Sequence, residues 1–328
     1  MSHKEHSHRD NFELLMYKVV QRCGPIFIIL GISLMVLCAI TTARLVLPRA
    51  AEPGSISFYI LHLFFSVVSF GAIFNYIAVA SFRGPVVDAG ETKRIADQQK
   101  ALAPATANYL LEKPGRYCAQ CERYKAPREY HCKFCQSCIP KMDHHCPWIN
   151  NCVQAENQRY FVLMLLYLMV ACGFIMMLLG FVYVGQESQH NIITHQKTDN
   201  GDDFIHSSPI RLLCVLCAPT FFLIVFMFGM NIVHVLKNET PIESFLVEDM
   251  KQAMQRNLLP FRNPYDLGRW LNILAVFETK GDPIVRELRR GARFSKILVC
   301  LWLMLPTLRP SVCNGVHYTV FYDIVYSV

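Results

Sequence analysis

A chain of 328 residues that is 53% hydrophobic and only 17% charged falls well short of the roughly 25% charge of an ordinary soluble domain, which excludes a wholly soluble globular fold. Its net charge of +7 suits proximity to an anionic leaflet; with no basic helix or aromatic-basic module, it points to no nucleic-acid partner. Seven of the 14 cysteines fall between Cys118 and Cys152, a density that in a reducing compartment reads as metal binding or catalysis rather than disulfides.

In chain order, Met1–Gly24 is polar and carries His3, His6 and His8, which reads as a solvated tail, with Phe12–Val20 lying along the membrane surface. Apolar runs follow at Pro25–Ala43 and Ile56–Phe82, and again at Tyr160–Gly185 and Leu212–Leu236. Each meets the ~20 residues that a helix rising about 1.5 Å per residue needs to cross the hydrocarbon core. Lipid offers the backbone no hydrogen bonds, so the runs are predicted to be helices. Asn75, Asn231 and His234 lie at or near span interiors, where hydrogen bonds between helices are expected. They lack the ionisable pair or broken helix of a transporter.

The segment Arg83–Arg159 holds 12 Lys and Arg, whereas the loop between the third and fourth runs holds Lys197 beside several acids, with Arg211 at the mouth of the fourth run. The positive-inside rule therefore places both termini and Arg83–Arg159 in the cytosol. The chain divides into an N-terminal tail (1–24), two spans (25–82), a cysteine-rich domain (83–159), two further spans with a lumenal loop (160–236) and a cytosolic C-terminal region (237–328). That last region opens with Thr240-Pro241-Ile242-Glu243, a capping box with proline at the first helical position. Ile242, Leu246, Met250, Met254 and Leu258 follow at helical spacing. Further on, Arg286, Arg289, Arg290, Arg293 and Lys296 precede Ile297–Leu305, too short to span and read as interfacial.

The cysteine-rich segment reads Cys118-x2-Cys121, His131-Cys132-x2-Cys135-x2-Cys138, Asp143-His144-His145-Cys146-Pro147-Trp148 and Cys152. Paired Cys-x2-Cys units let two thiolates meet one tetrahedral Zn²⁺. Seven Cys and three His offer ten ligands, and two closed tetrahedral sites use eight. His144 and Cys146, beside Asp143, suit different chemistry, in which a carboxylate orients an imidazole that draws the proton from a thiol. The alternative is that every member ligates metal or packs, as in a non-enzymatic zinc adaptor. A RING-like adaptor needs a further Cys-x2-Cys, which Cys146–Cys152 does not provide.

At these residues the segment resembles the cysteine-rich domain of the Asp-His-His-Cys (DHHC) protein S-acyltransferases, or palmitoyltransferases. Lys125-Ala126-Pro127-Arg128, His131-Cys132, Cys135, Cys138, Asp143 through Trp148, Asn150-Asn151-Cys152 and Asn157 match that pattern in order and spacing. The resemblance implies an all-α multi-pass membrane protein, with four transmembrane helices and a cytosolic zinc-binding domain between the second and third. It implies one structural Zn²⁺ on Cys118, Cys121, His131 and Cys138, and a second on Cys132, Cys135, His145 and Cys152.

Cys146 is then the nucleophile, His144 the base and Asp143 its orienter. Palmitoyl-CoA or another long-chain acyl-CoA is the co-substrate, cysteine-containing cytosolic-facing proteins are the acceptors, and the endoplasmic reticulum or Golgi membrane is the expected site. Trp148, Arg123, Lys125 and Arg128 are candidates to face CoA. Thr240 and Glu243 stand for the family's Thr-Thr-x-Glu motif, and Asn263 through Asn272 for its C-terminal motif. Pro241 replaces the second Thr, Gln154 stands where Gly is usual, and Arg83-Gly84-Pro85 stands where Asp-Pro-Gly is usual.

Overall fold

The computed structural model describes residues 3–84, 88–95, 97, 116–192, 208–256, 263–285, 295–308 and 318. Among them, four helices are long and apolar enough to cross a membrane: Val19–Ala50, Ile56–Ser81, Gln158–Val184 and Ser208–Lys237. Helix α1 (His3–Thr41) leads through a π-helical turn, Thr42–Val46, into the short α2 (Leu47–Ala50). Pro48 lacks the N–H that an α-helical ladder needs, and the turn just before it is where the hydrogen-bond register shifts. The second span is α3 (Ile56–Ser81), the third begins α4 (Gln158–Ile192), and the fourth is α5 (Ser208–Lys237).

The chain folds as two compact units. One comprises Ile29–Tyr76 and Val162–Met230. Its core stacks Phe65 on Phe174, with ring centroids 5.8 Å apart, and adds Ile175, Leu178, Val182, Ile210, Leu213 and Cys217. Glycine admits close helix approach here: a Cβ on Gly71 would stand 2.5 Å from the Tyr167 ring. The hydrogen bond expected from Asn75 to another helix is not what forms, since Asn75 donates to Gly71 O of its own helix at 2.7 Å. The carbonyl four residues back is always within reach of such a side chain.

The other unit comprises Met1–Ile28, Ile77–Phe161 and Asn231–Val328. Among the described residues it holds three antiparallel hairpins: β1 (Tyr117–Cys118) with β2 (Arg123–Tyr124), β3 (Glu129–Cys132) with β4 (Ser137–Pro140), and β5 (His144–Cys146) with β6 (Asn151–Val153). It also contains α6 (Pro241–Arg256), α7 (Arg269–Phe277) and α8 (Lys296–Met304).

The N-terminal tail differs from its sequence reading, because α1 is helical back to His3 instead of forming a separate tail and surface segment. Before Pro25 the stretch has no helix breaker except Gly24, and it finds a surface to pack on. Tyr17 meets Phe134 edge-on at 4.8 Å, Phe27 meets Trp148 at 5.5 Å, and a Cβ on Gly24 would overlap the Asn150 side chain.

The start of α6 follows its prediction. Thr240 N donates to Glu243 Oε2 at 2.9 Å and Glu243 N donates to Thr240 Oγ1 at 3.2 Å, the reciprocal capping box. Ile242, Leu246 and Met250 are half-buried along one side, while Leu258 lies outside the described residues. The apolar run after the basic cluster forms α8.

Candidate active site and metal centres

The structure brings together two quartets, Cys118–Cys121–His131–Cys138 and Cys132–Cys135–His145–Cys152, each with its four donor atoms within 4.8 Å of one another. His131 Nδ1 lies 3.5 Å from Cys118 Sγ and 3.3 Å from Cys121 Sγ. His145 Nδ1 lies 3.4 Å from Cys135 Sγ and 3.6 Å from Cys152 Sγ. Zinc bonds of about 2.3 Å to sulfur and about 2.0 Å to nitrogen give tetrahedron edges of about 3.5–3.8 Å, so the donors stand near the corners such an ion needs.

Their electrostatics point the same way. Hydrogen bonds from Cys135 and Cys152 pull the Cys132 thiol far below its ordinary pKa. The proximity of Cys132 pushes Cys135 up to about 11 and drives Cys152 further still. Crowded thiols resist a second negative charge, and a divalent cation removes that resistance. The donor set therefore fits zinc.

The quartets arise from a period in the chain. Cys132, Cys135, His145 and Cys152 each stand 14 residues after Cys118, Cys121, His131 and Cys138. The hairpins repeat at the same interval, closing on Cys118↔Arg123, Cys132↔Ser137 and Cys146↔Asn151. So do the left-handed residues that turn each knuckle, Glu122 (φ 51°), Gln136 (φ 52°) and Asn150 (φ 46°). Each quartet takes a Cys-x2-Cys knuckle from one hairpin and a cross-strand His–Cys pair from the next, His131↔Cys138 or His145↔Cys152. Cys146 begins the third knuckle. Ile149, fully buried, occupies the place of that knuckle's second cysteine, and α4 begins where a fourth hairpin would have to follow. Cys146 therefore belongs to neither quartet.

Around Cys146 the other expected residues converge. Asp143 Oδ1 accepts from His144 Nδ1 at 3.0 Å, and the same imidazole is within hydrogen-bonding reach of Cys146. Burial disfavours the imidazolium, but the Asp143 carboxylate and Cys146 outweigh it and raise His144 to about 9. An imidazole so placed is a strong proton acceptor for the neighbouring thiol.

Sequence reasoning assigned no role to several supports of this arrangement. Gln158 Nε2 approaches Asp143 Oδ2 at 3.5 Å and Phe161 sits edge-on to His144 at 5.2 Å. Asn151 donates to Phe82 O at 2.9 Å and Asn157 to the same carbonyl at 3.1 Å. These two side chains cap the exposed carbonyls at the end of α3 and fasten the third hairpin there. The signal is present in the sequence, since both asparagines lie between Cys146 and an apolar run.

The predicted CoA-facing set separates. Trp148 is exposed and Lys125 half-exposed. Arg123 makes a bidentate pair with the buried Glu129, at 2.9 and 2.6 Å. Arg128 is only 1% exposed. It donates from Nε to Glu243 Oε1 at 2.7 Å, and from Nη2 to Glu243 Oε2 at 2.6 Å and Asn238 O at 2.9 Å. The rings of Tyr265 and Tyr318 flank it. Burial disfavours its charge, yet the Glu243 carboxylate more than compensates and raises the guanidinium pKa. Arg128 therefore joins the cysteine-rich module to α6 and does not face a ligand.

Asn263 and Asn272 also serve the scaffold. They donate to Lys237 O at 3.4 Å and Leu236 O at 2.7 Å, capping the C-terminus of α5.

Four membrane-length helices, two Cys3His quartets able to hold metal and a thiol–imidazole–carboxylate set outside them describe a multi-pass membrane protein with a cysteine-rich module. The comparisons with known proteins agree: residues 111–248 match the DHHC palmitoyltransferase family model. The chain is 28% identical to "Probable protein S-acyltransferase 16" of Arabidopsis thaliana, over 70% of this chain and 78% of that protein. It is 28% identical to "Palmitoyltransferase ZDHHC3" of Homo sapiens, over 67% and 74%, and 30% identical to "Palmitoyltransferase ZDHHC7" of Mus musculus, over 65% and 64%. Residues 111–248, under half of the chain, thus match the DHHC palmitoyltransferase family, and the relatives that align with the chain are named as protein S-acyltransferases and palmitoyltransferases.

Proposed function

We propose that this chain transfers a long-chain acyl group, palmitoyl above all, from acyl-CoA to cysteine thiols of proteins, in two steps through an acyl-Cys146 intermediate. The observation that carries this reading is a thiol outside both metal quartets that shares His144 with Asp143.

In the first step His144 takes the Cys146 proton and the thiolate adds to the thioester carbonyl. The carbon–sulfur bond to CoA breaks, and CoA leaves as its thiol with the proton His144 returns. In the second step the acceptor thiol gives its proton to His144 and attacks acyl-Cys146, restoring the free enzyme. Asp143 orients the imidazole and stabilises its charged form. Zinc bound by the two quartets supplies folding energy and a fixed hairpin geometry, with no open position for a substrate. A sixteen-carbon tail buried at ~0.8 kcal/mol per CH₂ contributes on the order of 10 kcal/mol to donor binding, reason enough for the thiol to work at a membrane. The bias of basic residues supports a cytosolic position for the hairpins and both termini, and the membrane of the proposal is that of the endoplasmic reticulum or Golgi.

Incubating the purified protein with labelled palmitoyl-CoA tests the reading. A hydroxylamine-sensitive label should appear on wild type and vanish in Cys146→Ser, with zinc unchanged at about two per chain. His144→Ala should slow both steps while keeping the metal. Loss of zinc from Cys146→Ser would instead make that cysteine a ligand and end the proposal.

A further inference from the structure

Helix α8 lies outside the family-matched residues and has one face packed and one face open. Val299 and Leu303 are buried, and Trp302 Nε1 donates to Asp282 Oδ2 at 3.2 Å. On the opposite face Ile297, Leu298 and Leu301 are between 56% and 71% exposed, and Leu305 and Leu308, just past the end of the helix, are 45% and 64% exposed. Together they form an apolar surface that water disfavours and a lipid surface accepts.

The position of this surface says what covers it. Arg159 Nη2 donates to Leu303 O at 3.3 Å, Leu305 O at 3.1 Å and Thr307 Oγ1 at 2.9 Å, while Tyr160 Oη donates to Thr307 O at 3.0 Å. Arg159 and Tyr160 belong to the first turn of α4, the helix that carries the third span. A cation at the C-terminus of α8 also complements that helix's dipole. The end of α8 is thus tied to the point where a spanning helix enters the bilayer. Lys296 is exposed at its start, and the sequence leading in carries Arg286, Arg289, Arg290 and Arg293 against Glu287 alone. A second copy of the chain would bring the same positive charge to the contact and be repelled; an anionic leaflet attracts it.

We propose that α8 lays its apolar face into an anionic phospholipid surface and, through Arg159, couples that contact to the first turn of the third span. Arg159 follows Gln158, whose amide approaches the Asp143 carboxylate, so lipid contact at α8 adjusts the orientation of His144. The docking arm stands without the acyl-transfer reading; the coupling arm rests on it.

The test uses the full chain in nanodiscs of phosphatidylcholine alone or mixed with phosphatidylserine. A diazirine amino acid is placed at Leu298 or Leu301, irradiated and read by intact mass. The expected product is a one-lipid adduct, with phosphatidylserine over-represented relative to its share of the bilayer. Chain-to-chain products, or no lipid adduct, would overturn the docking; an adduct that follows bulk composition would overturn the anionic preference.

Acyl labelling of Cys146 in the same nanodiscs should rise several-fold with phosphatidylserine. Arg159→Lys keeps the charge but loses the planar fork, so it should flatten that dependence while the adduct persists. Unchanged lipid dependence in Arg159→Lys refutes the coupling. Absence of labelling in wild type, with the adduct intact, refutes the acyl-transfer reading and leaves the docking standing.

Discussion

Replacing Arg128 by alanine should destabilise the protein more than any change at an exposed basic residue. The guanidinium and the Glu243 carboxylate are each 1% exposed, and their two hydrogen bonds run at 2.7 and 2.6 Å. Removing one partner leaves the other charge buried without compensation, which costs about 3–5 kcal/mol. The lost contacts to Asn238 and the vacated space between Tyr265 and Tyr318 act in the same direction. Arg128→Met combined with Glu243→Gln removes both charges while glutamine keeps the capping-box acceptor, so the double variant should recover most of the loss. Size-exclusion of detergent-solubilised protein after a temperature ramp gives the midpoints, and acyl-CoA titration of the surviving fraction gives KM. The expected result is a low midpoint for Arg128→Ala, a restored one for the double variant and an unchanged KM. A wild-type midpoint with a raised KM would refute the buried-pair account and return Arg128 to the CoA site.

Thr240→Ala should remove one half of the α6 capping box and lower stability by about 1 kcal/mol, measurable as a smaller shift in the same melting assay. Cys132→Ser and His145→Ala should each lower bound zinc and soluble yield; full zinc occupancy in either would remove that residue from the second quartet. Stripping metal with a strong chelator should abolish acyl labelling and restoring zinc should return it, whereas labelling that survives full metal loss would deny zinc its structural role. Ile149→Cys should give the third knuckle its missing thiol, so that cobalt substitution yields a stronger thiolate charge-transfer band than wild type while acyl labelling falls. Ile149→Val should change neither, and an unaltered spectrum for Ile149→Cys would refute the knuckle assignment.

What the sequence revealed follows from the range of each interaction. The spans were legible because lipid requires a continuous apolar run, and the helices match those runs closely at Ile56–Ser81 and Ser208–Lys237. The box between Thr240 and Glu243 was legible because its partners stand three residues apart. The pair Arg128–Glu243 was not, because 115 residues separate them and nothing local distinguishes a buried arginine from a solvated one. The helical N-terminus is not legible for a similar reason. Its composition is that of a tail, and its order comes with contacts such as Tyr17 on Phe134.

Counting donors leaves one thiol spare without saying which. The 14-residue period removes that ambiguity. If each metal needs a knuckle from one hairpin and a cross-strand pair from the next, then three hairpins close two sites and leave over one pair and one knuckle. The spare pair is Tyr117↔Tyr124 at the start, where aromatic rings replace ligands; the spare knuckle is Cys146 to Asn150 at the end. Asp143 then stands where Glu129 stands one period earlier, and His144 where Tyr130 stands. In the second hairpin that carboxylate is bound to Arg123; in the third it is bound to an imidazole beside a thiol. A buried acid that braces one hairpin thus holds an imidazole in the next, and the proposed acyl-accepting thiol stands at the point where the repeat of ligands runs out of partners.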